Sequence, residues 1–172
     1  MMTSKDIRLA DYLREECILC HVETAERDQA INLMVGALHE KVGGFDRPEA
    51  VEAVIERERQ APTVLAKGLA LPHARLPELT RPVLALATSH QGVDFEAVGE
   101  EPVHVMVLIL TPRADPGAYL RLVASLSKTL NEPRMIKRLT VAASAREAYG
   151  ILTEGGGQAV ARRREIAGHC PG

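Results

Sequence analysis

The chain has 172 residues, of which 46% are hydrophobic and 26% charged, a composition typical of a soluble globular domain. Its formal net charge of −2 argues against general nucleic-acid binding, which favours a strongly basic face. Residues 1–8 carry charges where a signal peptide would be apolar, and no apolar run approaches the roughly 20 residues of a membrane helix. We therefore expect one cytoplasmic domain that neither binds nucleic acid nor inserts into a membrane.

The three cysteines, Cys17, Cys20 and Cys170, favour free thiols, because their number is odd and the chain does not look secreted. The spacing Cys17-Ile-Leu-Cys20 can also be redox-active or form half of a zinc site. A second such pair is absent from the sequence, and His21 is too close to Cys20 to be an independent ligand. We interpret the cysteines as small structural residues and predict no metal and no cofactor.

The N-terminal part of the chain predicts a strand and then two helices. Residues 17–22 form the strand candidate, and apolar residues at helical spacing follow over Ile31–Val42. Asp46 is the expected N-cap of the second helix, which should end before Pro62. Arg57 is therefore expected near the C-terminal end of that helix.

The middle of the chain predicts buried strands. The apolar run between Gly68 and Pro72 indicates a strand that brings His73 to its end, where functional groups tend to gather. Residues 83–87 predict another strand. The stretch 103–110 is the most apolar in the chain and rich in β-branched residues, as expected of a central strand covered on both faces.

Further helices are predicted after this central strand. Asp115-Pro116 begins one, and Ser144-Ala-Arg-Glu147 is a capping box that opens the last. Gly155-Gly-Gly157 ends it, so we place the domain at residues 1–154 and a C-terminal tail at 155–172. The tail is interpreted as a frayed extension or a binding arm. Helices interleaved with strands predict an α/β fold, a single-domain sandwich with a mixed central sheet flanked by helices.

His73 and Arg75 together suggest a site for an anion. Arginine is always charged and offers forked donors that match phosphate or carboxylate. A neutral imidazole nitrogen is a competent nucleophile near pH 7. We hypothesise that His73 meets a phosphoryl group.

Several short motifs occur in an order and spacing that resemble a known family. They are Ile55-Glu-Arg-Glu-Arg59, Gly68-Leu-Ala-Leu-Pro-His73, Val93-Asp-Phe-Glu-Ala97 and Leu110-Thr-Pro112. Together they resemble the enzyme IIA domains of the phosphoenolpyruvate-dependent phosphotransferase system, in the fructose and mannitol branch and most of all the nitrogen-regulatory type. The resemblance implies an α/β sandwich around a mixed sheet, and a histidine that is phosphorylated by a histidine-containing phosphocarrier protein.

Carried over to this sequence, the resemblance makes His73 the phosphoacceptor. It implies that Arg57 contacts the phosphoryl charge, that Thr63 donates to phosphate and that Gly68 lets the backbone approach closely. Arg75 is either a second cation or a rim residue that serves solubility. A phosphohistidine carries about two negative charges, which these groups would stabilise.

Two departures from the family pattern concern the same site. Tyr119 occupies the position at which members commonly have a second histidine, which is thought to steady the phosphorylated ring. A tyrosine hydroxyl donates a hydrogen bond but carries no positive charge near neutral pH. Thr63-Val-Leu-Ala66 replaces a stretch usually rich in glycine, which would stiffen the neighbouring loop.

The resulting hypothesis is a regulatory protein phosphorylated on His73 by a small phosphocarrier. The lack of a permease or membrane segment in the sequence favours regulation over sugar uptake. One alternative is a non-phosphorylated enzyme IIA-like module that binds a regulatory partner, and another is an enzyme IIA subunit for fructose- or mannitol-type uptake. A hydrolase using His73 as general base lacks a recognisable nucleophile. The regulatory target, the sugar and the oligomeric state stay open.

Overall fold

The computed structural model describes residues 7–65, 68–97, 99 and 101–154. A short 3-10 turn at Leu9–Asp11 precedes the first strand. The strands are β1 (Leu13–Leu19), β2 (Val64–Leu65), β3 (Leu69–Ala70), β4 (His73–Leu76), β5 (Val83–Val93) and β6 (Val103–Pro112). The helices are α1 (Arg27–Lys41), α2 (Arg47–Gln60), α3 (Ala118–Leu130), α4 (Pro133–Val141) and α5 (145–154).

The strands form one mixed sheet in the order β1-β5-β6-β3-β2, with β4 also paired to β6. β1 is parallel to β5, β5 is antiparallel to β6, and β3 and β4 are both parallel to β6. Leu69 faces Val105 and His73 faces Ile109, so β3 and β4 keep the same register along β6. They are two halves of one extended segment that is interrupted around Pro72, which has no N–H for a strand ladder.

The most apolar strand lies at the centre of the sheet and is covered on both faces, as its sequence predicts. Its even-numbered side chains from Met106 to Leu110 pack with α1 and α2. The odd-numbered ones from Val105 to Ile109 pack with α3, α4 and α5, because successive side chains point to opposite faces. The predicted α/β sandwich with a mixed sheet is confirmed.

The predicted start and end of α2 are also confirmed. The Asp46 side chain accepts a hydrogen bond of 2.9 Å from the backbone N–H of Glu49, as an N-cap should. The helix ends at Gln60, and Ala61 already has extended backbone geometry ahead of Pro62. α2 therefore holds residue 57 in its last turn.

The strand predicted at residues 83–87 is longer in the structure and continues as β5 to Val93. The added residues include Thr88 and Ser89, which are buried although polar. Their hydroxyl oxygens accept hydrogen bonds from the backbone N–H groups of His21 and Gly92, at 3.0 and 3.1 Å. Polar residues thus extend the strand because each finds a partner inside the fold.

The cysteines within the described residues are structural. Cys17 is buried, Cys20 is half-buried and neither forms a disulfide. Burial raises the pKa of both thiols, which makes the reactive thiolate scarcer. Cys170 and the predicted tail at 155–172 lie outside the described residues.

Over the described ranges, no helix combines the length and the apolar character needed to cross a bilayer. Within the same ranges, no three His, Cys, Asp or Glu side chains are grouped so that they could hold a metal ion.

Candidate functional site

His73 is the first residue of β4, so the prediction that it ends a strand is wrong. The chain passes Pro72 and resumes its pairing with β6, where His73 lies opposite Ile109. Among the described strands β4 pairs with β6 alone, which leaves its other edge open. The imidazole is half-buried at this edge, on the sheet face that carries α3.

The backbone around Pro72 fixes the tautomer of the His73 ring. Nδ1 lies 3.1 Å from the carbonyl oxygen of Leu71. A carbonyl oxygen can only accept, so Nδ1 carries the proton and donates it. In the neutral ring, Nε2 then keeps its lone pair and is the nitrogen able to attack an electrophile.

The surroundings keep this ring neutral near pH 7. Burial lowers the pKa of His73 below its ordinary value of 6.5, and the charges of Arg57 and Arg75 lower it further. The hydrogen bond to Leu71 acts in the opposite direction but does not reverse the shift. The reactive, uncharged form therefore persists to lower pH than in a free histidine.

Tyr119, the second residue of α3, covers the His73 ring. The two ring centroids are 4.0 Å apart and the planes are inclined by 22°. Burial raises the pKa of Tyr119; Arg57 lowers it and Glu58 raises it further, so the phenol stays uncharged at neutral pH. The contact that the structure shows between the two residues is a stack of rings.

Two arginines approach the imidazole from different elements. Arg57, in the last turn of α2, donates a hydrogen bond of 2.9 Å to the carbonyl oxygen of Ala61 and thereby closes the helix end. Its charge lowers the pKa of both His73 and Tyr119. Arg75 is exposed and lies two residues along β4 from His73, on the same face of the strand.

Glu58 belongs to the site and was not predicted from the sequence. The residue has no exposed surface, and its carboxylate accepts two hydrogen bonds from Thr63, one from the backbone N–H at 2.9 Å and one from the hydroxyl. The hydroxyl proton of Thr63 is thus held by Glu58. A hydrogen bond from this hydroxyl to phosphate requires that it turn away from the carboxylate.

Gly68 is not brought to the imidazole. Its φ of +77° disfavours other residues, and an added Cβ would lie 3.2 Å from the carbonyl oxygen of Pro102. The predicted close backbone approach is thus made to the chain that leads into β6. Leu69, the next residue after Gly68, pairs with Val105, whereas His73 pairs with Ile109. Leu69 and His73 are thus four residues apart, or roughly 13 Å along the strand.

A family model described as "Phosphoenolpyruvate-dependent sugar phosphotransferase system, EIIA 2" matches residues 11–155. The chain belongs to this EIIA family. The resemblance derived from the motifs is thereby confirmed.

Relatives of this EIIA domain include both sugar-specific and regulatory proteins. The fructose-specific EIIA component of Haloferax volcanii is 29% identical over 81% of this chain and 90% of its own length. A nitrogen regulatory protein from Klebsiella oxytoca is 28% identical over 87% of this chain and 93% of its own. The crystal structure of the nitrogen regulatory protein IIA-Ntr from Neisseria meningitidis has the same fold, with a TM-score of 0.76 at 23% identity, covering 84% of this chain and 99% of that one.

The candidate site around His73 is separate from the cavity between α1 and α2. A cavity of about 890 Å³ lies between α1 and α2, and none of its lining residues belongs to the ring pair. These residues are Asn32, Arg47, Pro48, Val51, Glu52, Ile55, Glu56 and Arg59. A half-buried imidazole at an open sheet edge suits a reactant that is presented by another protein.

Proposed function

We propose that this EIIA domain accepts a phosphoryl group on Nε2 of His73 from a histidine-containing phosphocarrier protein. The proposal is supported most directly by the hydrogen bond from Nδ1 to the Leu71 carbonyl, which leaves the Nε2 lone pair free. That lone pair attacks phosphorus in line. The new N–P bond forms as the N–P bond of the carrier breaks, and the carrier nitrogen leaves with the bonding pair.

The neighbouring charges suit this transfer. The His73 ring gains positive charge as the bond forms, and the Leu71 carbonyl stabilises that charge at Nδ1. Arg57 and Arg75 disfavour a protonated ring before the reaction and attract the phosphoryl oxygens after it. The same two cations therefore keep the acceptor neutral and stabilise the product.

We further propose that the phosphoryl group serves regulation, in keeping with the name of the nitrogen regulatory relatives, with transport of a fructose- or mannitol-type sugar as the alternative. Relatives with both names match at nearly equal identity. A second candidate function is a binding module that is never phosphorylated. The stack of Tyr119 on His73 favours it, because the ring covers one face of the imidazole and brings no positive charge.

A labelling experiment tests the phosphoacceptor proposal. The protein is incubated with phosphoenolpyruvate, the first enzyme of the system and its phosphocarrier, and acid-labile phosphate is measured by intact mass. We expect one added phosphate, which His73→Ala abolishes. If wild type is unlabelled while a known enzyme IIA is labelled in the same mixture, the protein is a binding module and the proposal fails.

A complementation experiment separates regulation from uptake. The gene is expressed in a strain that lacks its fructose-specific EIIA component, and growth on fructose is measured. A regulatory protein is labelled at His73 but does not restore growth. Restored growth that His73→Ala abolishes would assign the protein to sugar uptake.

A further inference from the structure

A continuous set of hydrogen bonds connects the buried Glu58 with the imidazole of His73. The Glu58 carboxylate accepts from the backbone N–H and the hydroxyl of Thr63. The Thr63 carbonyl oxygen accepts from the Leu71 N–H at 3.1 Å. The Leu71 carbonyl oxygen accepts from Nδ1 of His73 at 3.1 Å. Each residue in the set thus fixes the orientation of the next.

The carboxylate at the start of this set lies on the buried face of α2. Glu58 follows Ala50 and Val54 at intervals of four residues on the buried face of α2, where an apolar side chain would normally lie. Burying a carboxylate is costly unless its oxygens are hydrogen-bonded, and Thr63 supplies both bonds. The same two bonds hold Thr63 against Leu71 in the segment that carries His73.

We propose that Glu58 is a positioning residue for phosphoryl transfer: through Thr63 and the Leu71 peptide it holds His73 in the Nδ1–H tautomer and so directs the phosphoryl group to Nε2. This inference rests on the proposed phosphoacceptor function. Without the anchor at Thr63, the Leu71 backbone loses the partner that orients its N–H, and its carbonyl oxygen is held less firmly against Nδ1. The imidazole then exchanges between its two tautomers, and only one of them has a nucleophilic Nε2.

The tautomer is measured directly and without any phosphocarrier. Two-bond proton–nitrogen NMR correlations of the His73 ring, recorded well above the ordinary histidine pKa of about 6.5, distinguish Nδ1–H from Nε2–H. Glu58→Met keeps the side-chain length and removes both acceptor oxygens. We expect it to lower the Nδ1–H to Nε2–H ratio by about three- to tenfold, the equilibrium equivalent of one ordinary hydrogen bond.

Matched variants separate positioning from general destabilisation. Glu58→Gln retains one acceptor and Thr63→Val retains the amide, so each should show a smaller shift of the ratio than Glu58→Met. Glu56→Met, at an exposed position on the same helix, should behave as wild type. If Glu58→Met does not fold, the double variant Glu58→Met/Thr63→Val, which leaves no buried hydroxyl without its partner, takes its place in the measurement.

The outcomes for this inference and for the proposed function are distinguishable. A wild-type tautomer ratio in a folded Glu58→Met protein, or in the folded double variant, overturns the positioning role. A shifted ratio, with the labelling rate at Nε2 falling in proportion to the Nδ1–H population, supports it. If Glu58→Met shifts the tautomer ratio but wild type is never labelled, Glu58 still sets the tautomer of His73. In that case the proposed phosphoryl transfer is refuted, and the tautomer role of Glu58 is not.

Discussion

Replacing Tyr119 with histidine is expected to increase the equilibrium phosphorylation of His73. The wild-type ring lies 4.0 Å from the imidazole, so a histidine at this position contacts the same ring. A phosphoryl group on Nε2 raises the pKa of a neighbouring imidazole and favours its charged form. The new ring then donates a charge-assisted hydrogen bond of roughly 1.5–3 kcal/mol, which corresponds to about a ten- to hundredfold change in the equilibrium.

The assay is the phosphorylated fraction at several ratios of phosphocarrier to protein, measured by intact mass. Tyr119→Phe is the matched control, since it keeps the ring stack and removes only the hydroxyl. We expect it to differ from wild type by no more than about tenfold and by less than Tyr119→His does, because the contact with His73 is between the rings and the exchange removes at most one ordinary hydrogen bond. A folded Tyr119→His protein with a wild-type equilibrium would refute the role assigned to this position.

Three further predictions concern His73, Arg57 and Gly68. The pKa of His73, measured as the midpoint of its NMR titration, should lie below about 6.5, and a higher midpoint would contradict the burial argument. Because the unfolded chain then binds the proton more readily than the folded protein, the free energy of unfolding in urea should fall as the pH drops through about 6.5. This fall should be smaller in His73→Gln. Arg57→Gln should raise the pKa of His73 yet reduce the phosphorylated fraction by about tenfold, since the cation that disfavours the imidazolium also holds the phosphoryl group. If the pKa and the phosphorylated fraction both rose or both fell, this dual role of Arg57 would be refuted. Gly68→Ala should lower the free energy of unfolding by about 1–3 kcal/mol in urea titrations and leave His73 labelling unchanged, whereas a labelling defect in the folded variant would return Gly68 to the site.

Local signals in the sequence were sufficient for both ends of α2 and for the central strand. Asp46 and Pro62 delimit α2 because capping and the loss of a backbone N–H act within a few residues. The apolar run of β6 needs no partner to be recognised as buried on both faces. His73 and Arg57 were identified from the motifs, and the structure places their side chains within electrostatic reach of each other.

The features that sequence reasoning missed depend on pairing between distant segments. The continuation of β4 beyond His73 follows from the register on β6, which nothing local to Pro72 specifies. Glu58 resembles any exposed helix glutamate until its partner at Thr63 is known. One signal was available, because Glu58 lies four residues after Val54 and therefore on the apolar face of the helix. A charged residue at such a position predicts a specific buried partner.

The attachment of β4 to β6 affects how a binding partner would distinguish the unphosphorylated protein from the phosphorylated one. The backbone of His73 is paired to β6, the most deeply buried strand, whereas the side chain of Arg75 is exposed. Hydrogen exchange at the amides that join β4 to β6 should therefore stay slow before and after labelling. The modified protein then presents the same shape with an altered electrostatic potential, and a partner would discriminate by charge at an unchanged surface.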